Sequence, residues 1–183
     1  MDEKLLRNEV AACIRSVEGF PSKGVLFRDI FPLFLKPSLI RSLCSHIVQI
    51  YLGQVDVVVA LEARGFLFGP MVAQEMSVPF VPIRKQGKLP GPVLSATYVK
   101  EYGQDILEVQ KGALSAGQRV LVFDDLLATG GSLNAAFQLI RQSNAEVQAA
   151  FVIIELEGMN GRMNQITVSD RYQPQSTMNN CRF

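Results

Sequence analysis

Residues 119–137, RVLVFDDLLATGGSLNAAF, carry three local signals in a row. Arg119 to Asp125 begins as a β-branched, apolar run, the pattern of a strand buried on both faces. Asp124 and Asp125 follow at its C-terminal end, where open parallel sheets bind their ligands. Two adjacent carboxylates there repel each other and lose solvation unless a cation or a set of hydrogen-bond donors faces them. A sugar diol and a metal-bound ligand would meet that need. Ala128-Thr129-Gly130-Gly131-Ser132 then runs into the helical stretch NAAFQLIRQ. Two glycines allow backbone N–H groups to converge, two hydroxyls add donors, and a helix N-terminus favours an anion. A T-G-G-S alone is an ordinary capped turn, and a D-D alone an ordinary solvated strand end. Joined on one strand, they form a diol reader beside a phosphate cradle, which describes a ribose 5-phosphate.

Outward from this stretch, buried strands alternate with helices. VDVVVAL (55–61), FVPIR (80–84) and VQAAFVIIEL (147–156) read as strands. Leu6, Val10, Ile14 and Val17 recur at helical spacing, and Pro37 opens a second helix with Leu39, Leu43, Ile47 and Ile50 on one face. FPSKGVLFRDIFP between them reads as irregular and partly extended. TYVKEYG and ILEVQ look like two extended arms. The expected class is α/β with a mostly parallel central sheet flanked by helices. One domain over residues 1–183 is expected, with a core at about 10–157 and a polar tail at 158–183 whose last dozen residues offer little surface to bury.

Composition narrows the function classes. With 48% hydrophobic residues and a net charge of +1, a broad basic face for nucleic acid is not expected. No apolar run approaches the ~20 residues of a membrane span. Cys13, Cys44 and Cys181 have no C-x-x-C spacing, so neither a disulfide framework nor a zinc site is suggested. MDEKLLRNEV is charged from its second residue, so no secretory signal and a reducing cytoplasm are expected. His46 falls in the second helix, away from every motif. No G-x-x-x-x-G-K-[ST] or G-x-G-x-x-G occurs.

The D-D-L-L-A-T-G-G-S stretch on its strand resembles the PRPP-binding motif of type I phosphoribosyltransferases, PRPP being ribose 5-phosphate with a 1-pyrophosphate. GVLFRDI (24–30), LEARGFLFGP (61–70), IRKQGKLPG (83–91) and EYG (101–103) resemble the adenine phosphoribosyltransferases, in that family's order, over roughly residues 10–157. Ser132 stands where threonine is commoner, and the tail beyond Gly161 departs from the family.

The resemblance implies that fold, with a small hood and a mobile catalytic loop, and the reaction of adenine with PRPP to give AMP and pyrophosphate. It implies Arg64, Arg84, Lys85, Lys88 and Tyr102 on the phosphates with Ala128–Ser132, and a non-proline cis peptide at Glu62–Ala63. It places the adenine edge on Leu26 and Arg28, with Phe27 stacking on the base and Leu126 or Leu127 as the opposite wall. Glu101 would be the general acid/base near adenine N7, while Asp124 and Asp125 hold the ribose. Mg²⁺ would arrive mainly through PRPP, with no dedicated protein ligand cage, and a homodimer is implied. A hypoxanthine or guanine enzyme would ask for a donor facing the 6-oxo group, against which GVLFRDI speaks. A PRPP-sensing regulator on the same fold would carry a DNA-binding domain, and only about twenty residues precede the first motif.

Overall fold

The computed structural model describes residues 2–100, 103–161 and 175–176. Helix α1 (Glu3–Cys13) buries Leu6, Val10 and Cys13. Val17, which continues its spacing in the sequence, is instead on strand β1 (Arg15–Glu18) and is 41% exposed. Ile14 already has extended backbone, and β1 pairs antiparallel with β2 (Leu26–Asp29), so pairing ends the helix before its apolar face runs out. This two-stranded ribbon stands apart from the main sheet. A 3₁₀ turn (Phe31–Leu35) leads to α2 (Pro37–Tyr51), which starts at the proline as expected.

The main sheet is built from β3 (Val57–Leu61), β4 (Phe80–Lys85), β5 (Val93–Lys100), β6 (Gly103–Gln110), β7 (Arg119–Leu127), β8 (Glu146–Glu155) and β9 (Gln175–Ser176). Their order is β5-β6-β4-β3-β7-β8-β9. Strands β4, β3, β7, β8 and β9 are mutually parallel, and the β5–β6 hairpin adds an antiparallel edge. Helices α3 (Gly69–Met76) and α4 (Gly131–Gln142) follow β3 and β7. Every residue of β3 is buried because both faces are covered. Val58 and Ala60 pack toward α1, α2 and α3; Val57, Val59 and Leu61 pack toward α4 and the hairpin.

After β3 the chain turns to β4 on one side, while β7 lies on the other. The strand order therefore reverses at β3–β7, and the crevice beyond their C-terminal ends is where such sheets bind ligands. Gln175 and Ser176 lie in the stretch expected to be loose, yet they form β9 on the edge of β8, whose backbone groups need partners. Residues 162–174 and 177–183 of the tail, and the loop residues Glu101 and Tyr102, lie outside the described residues.

Candidate active site

β7 runs two residues past the acidic pair, so Asp124 and Asp125 sit inside the strand, with Asp124 opposite Val152 of β8. Successive side chains point to opposite faces of a strand. Both carboxylates nevertheless border one cavity of about 320 Å³ with Leu61, Glu62, Arg64, Lys85, Tyr98, Leu126 and Ser132. The Asp125 N–H donates to Asp124 Oδ1 at 2.9 Å. Although part of Asp124 stays open to the cavity, the protein packed around it pushes its carboxyl well above the usual 3.8, and the charge on Asp125 adds to this. Burial pushes Asp125 up as well, against the opposing pull of Arg64. Arg64 Nε lies 2.8 Å from Asp125 Oδ2, close enough to pair the charges though not aligned as a hydrogen bond, so that buried oxygen keeps an unused acceptor.

Beyond β7 the chain must turn sharply into α4. Gly130 does this with φ of 83°, a conformation that side-chain-bearing residues rarely adopt. No side chain caps α4, which leaves its first N–H groups available to an anion beside the Thr129 and Ser132 hydroxyls. Gly131 is needed for a different reason. A Cβ there would lie 3.1 Å from the Val99 carbonyl and 3.2 Å from Tyr98 Cδ2, so the β5–β6 hairpin would have to shift by a few tenths of an ångström to rest on the start of α4.

The turn after β3 has the cis peptide at Glu62–Ala63 that the resemblance implies. It brings Arg64 under the ribbon, where Nη1 donates to the Arg28 carbonyl at 2.9 Å and the guanidinium lies 4.9 Å from the centre of the Phe27 ring. Gly19 N–H donates to the Val25 carbonyl, on the β1 side of the ribbon. Backbone groups alternate in direction along a strand. The Arg28 carbonyl, and with it that of Leu26, therefore points away from β1, toward Arg64.

The basic loop is only partly in the cavity. Lys85 lines it, whereas Arg84 donates to Glu62 Oε2 at 2.7 Å and to the Lys88 carbonyl at 3.1 Å, and Lys88 is exposed. Leu126 lines the cavity, but Leu127 is 1% exposed and belongs to the core on the α4 side of the sheet. Of the two candidate walls, the geometry leaves Leu126. Tyr98 and Glu108 carried no motif and were missed. The Tyr98 hydroxyl donates to Asp105 Oδ2 at 3.3 Å while its ring borders the cavity. Glu108 is buried and accepts from the Gly87 N–H at 2.9 Å, which pins the basic loop.

No group of three or more His, Cys, Asp or Glu that could hold a metal occurs among the described residues. The unused acceptor on Asp125 and the open carboxylate of Asp124 still fit a cation that arrives already ligated by phosphate and ribose oxygens.

The phosphoribosyl transferase domain family matches residues 36–177. The chain is 54% identical over 160 residues to the adenine phosphoribosyltransferase of Caenorhabditis elegans, covering 86% of each chain. With the Mus musculus adenine phosphoribosyltransferase it shares 52% identity over 157 residues, 84% of this chain and 87% of the mouse one. The structure superposes on the Saccharomyces cerevisiae enzyme, solved with an imino-altritol bisphosphate and adenine, with a TM-score of 0.85 at 39% identity, covering 93% and 98% of the two chains. It also matches the Trypanosoma brucei enzyme, solved with AMP, pyrophosphate and ribose-5-phosphate, with a TM-score of 0.82 at 29% identity, covering 90% and 73%.

Proposed function

Since this chain belongs to the adenine phosphoribosyltransferases, which join adenine to PRPP to give AMP and pyrophosphate in purine salvage, we propose a role for each part of its site. What supports the assignment is that the uncapped start of α4 and the acidic pair meet at one crevice, to which Arg64 links the β2 edge. Adenine offers a donor at N6 and an acceptor at N1, which a peptide edge can match without a charged side chain. The β2 edge at Leu26 and Arg28 supplies it, with Phe27 below the base and Leu126 opposite. Thr129, Ser132 and the N–H groups of Ala128–Gly131 and the first turn of α4 take the 5-phosphate. Asp124 and Asp125 hold the ribose hydroxyls.

N9 of adenine attacks the anomeric carbon as the bond to pyrophosphate breaks, through an oxocarbenium-like state. The two carboxylates stabilise the positive charge that grows on the ring. Arg64, with Lys85, Arg84 and Lys88 from the basic loop, receives the leaving pyrophosphate. Mg²⁺, carried in on PRPP, would neutralise the leaving group. We assign Glu101 the proton at N7, and Glu101 and Tyr102, which follow β5 in sequence, the exclusion of water that would compete for the ring.

We also assign the protein to the cytoplasm, as a single domain that pairs into a homodimer. Free, buried Cys13 and Cys44 suit a reducing compartment. Leu35, 84% exposed beside an apolar groove lined by Phe34, Pro37, Ile40 and Met71, suits a second copy. Glu101→Gln tests the catalytic assignment. It keeps size and hydrogen bonding but removes the titrating group, so kcat should fall by ~10²-fold with little change in PRPP affinity. Turnover at the parent rate would reduce the hairpin tip to a lid.

A further inference from the structure

Arg64 is held by three partners, and each is a group assigned above to a substrate. Its Nη1 donates to the Arg28 carbonyl on the free edge of β2 at 2.9 Å. Its guanidinium lies over the Phe27 ring, 4.9 Å from the centroid. Its Nε faces Asp125 Oδ2, the ribose carboxylate, at 2.8 Å. A guanidinium is flat, stacks on aromatic rings and carries donors around its rim. An aminopurine is flat, stacks, and presents its N6 donor to the same carbonyl. We propose that Arg64 and adenine compete for these contacts, and that pyrophosphate draws the arginine away, so that adenine binding is coupled to occupancy of the pyrophosphate position. This rests on the assignment of Leu26–Arg28 as the base edge.

The physical reason is competition for one cation. Among the described residues the ion pair of Arg64 is with Asp125, and its side chain is 22% exposed. Pyrophosphate brings several negative charges to the cavity that Arg64 and Lys85 already line, and a phosphate offers the guanidinium a two-point, charge-assisted contact. Moving there takes the donor off the Arg28 carbonyl, uncovers Phe27 and frees Asp125 for ribose hydroxyls. Adenine pays no displacement cost once the arginine has left. Coupling of this kind is reciprocal, so adenine must favour pyrophosphate by the same factor. A merely structural Arg64 would give no such effect, because its removal could only loosen the site.

Calorimetry with adenine, alone and with magnesium pyrophosphate, tests this on the parent protein and on Arg64→Ala, Arg64→Lys and Phe27→Ala. On the parent, pyrophosphate should tighten adenine by about tenfold or more, within the ~5–150-fold range of site coupling. Arg64→Ala should bind adenine alone about tenfold tighter than the parent does, and pyrophosphate should then change its affinity less than about twofold. Arg64→Lys keeps a cation beside Asp125 but cannot fork between carboxylate and carbonyl, so it should fall between. The proposal is overturned if Arg64→Ala binds adenine no more tightly than the parent, or if pyrophosphate tightens adenine equally in both. Phe27→Ala isolates the underlying site. It should weaken adenine in the presence of pyrophosphate, and an unchanged affinity would place the base elsewhere and overturn both readings together.

Discussion

Asp124→Asn should lower kcat/KM by about 10³-fold while raising the melting temperature of the ligand-free protein. The two effects have one origin. Removing a fixed charge that faces a developing cation costs about 10²–10³-fold in rate, whichever base is supplied. In the folded protein that same charge is a burden, because burial and then the charge on Asp125 hold the Asp124 carboxyl well above 3.8. Between the unfolded and folded pKa values, the folded chain keeps a proton that the unfolded chain has lost, so stability falls as pH rises through that window and stays lower above it. Asparagine carries no such charge and keeps the oxygen that accepts from the Asp125 N–H at 2.9 Å. Each kcal/mol relieved should appear as roughly 2–4 °C in Tm for a chain of this size. The gain should be present at pH 7 and vanish below about pH 3.5, where both states are protonated. Thermal melts across pH, beside steady-state kinetics, check both arms, and a lower Tm at pH 7 would contradict the electrostatic reading of the pair.

Excess chelator should reduce turnover by at least ~10³-fold, and Mg²⁺ should restore it. Pyrophosphate carries several negative charges, and the cations that line the cavity, Arg64 and Lys85, are already paired, with Asp125 at 2.8 Å and Asp105 at 3.6 Å. Arg84 is paired with Glu62 at 2.7 Å and gives up that pair when it turns to pyrophosphate. The protein alone thus leaves the leaving group under-neutralised, and a divalent cation is worth several kcal/mol of charge stabilisation in such a displacement. Initial-rate assays with and without chelator decide this; full activity in excess chelator would remove the metal from the mechanism.

The acidic pair and the glycine turn into α4 were legible because they are contiguous, on one strand, one loop and one helix start. β3 was legible for a similar reason, since a strand buried on both faces writes an unbroken apolar run. The link between Arg64 and Arg28 was not, because it joins residues 36 apart through a ribbon whose edge direction depends on how β1 pairs with β2. Tyr98 was invisible for the same cause: its place follows from the hairpin lying on Gly131. Glu108 reads as one charge in an ordinary strand, and only the fold brings the Gly87 N–H to it. Val17 misled because a spacing of three and four residues does not say where pairing with another strand takes over.

On the proposed reading, base choice is set by Leu26 and Arg28, whose carbonyl and N–H suit adenine and mispair with a 6-oxo purine. The most direct measurement is kcat/KM with PRPP and Mg²⁺ for adenine, hypoxanthine and guanine in parallel. Adenine should exceed the other two by at least about a hundredfold, since a mispaired polar edge leaves buried groups unsatisfied. Comparable rates with hypoxanthine, or PRPP binding with no turnover of any base, would contradict the assignment.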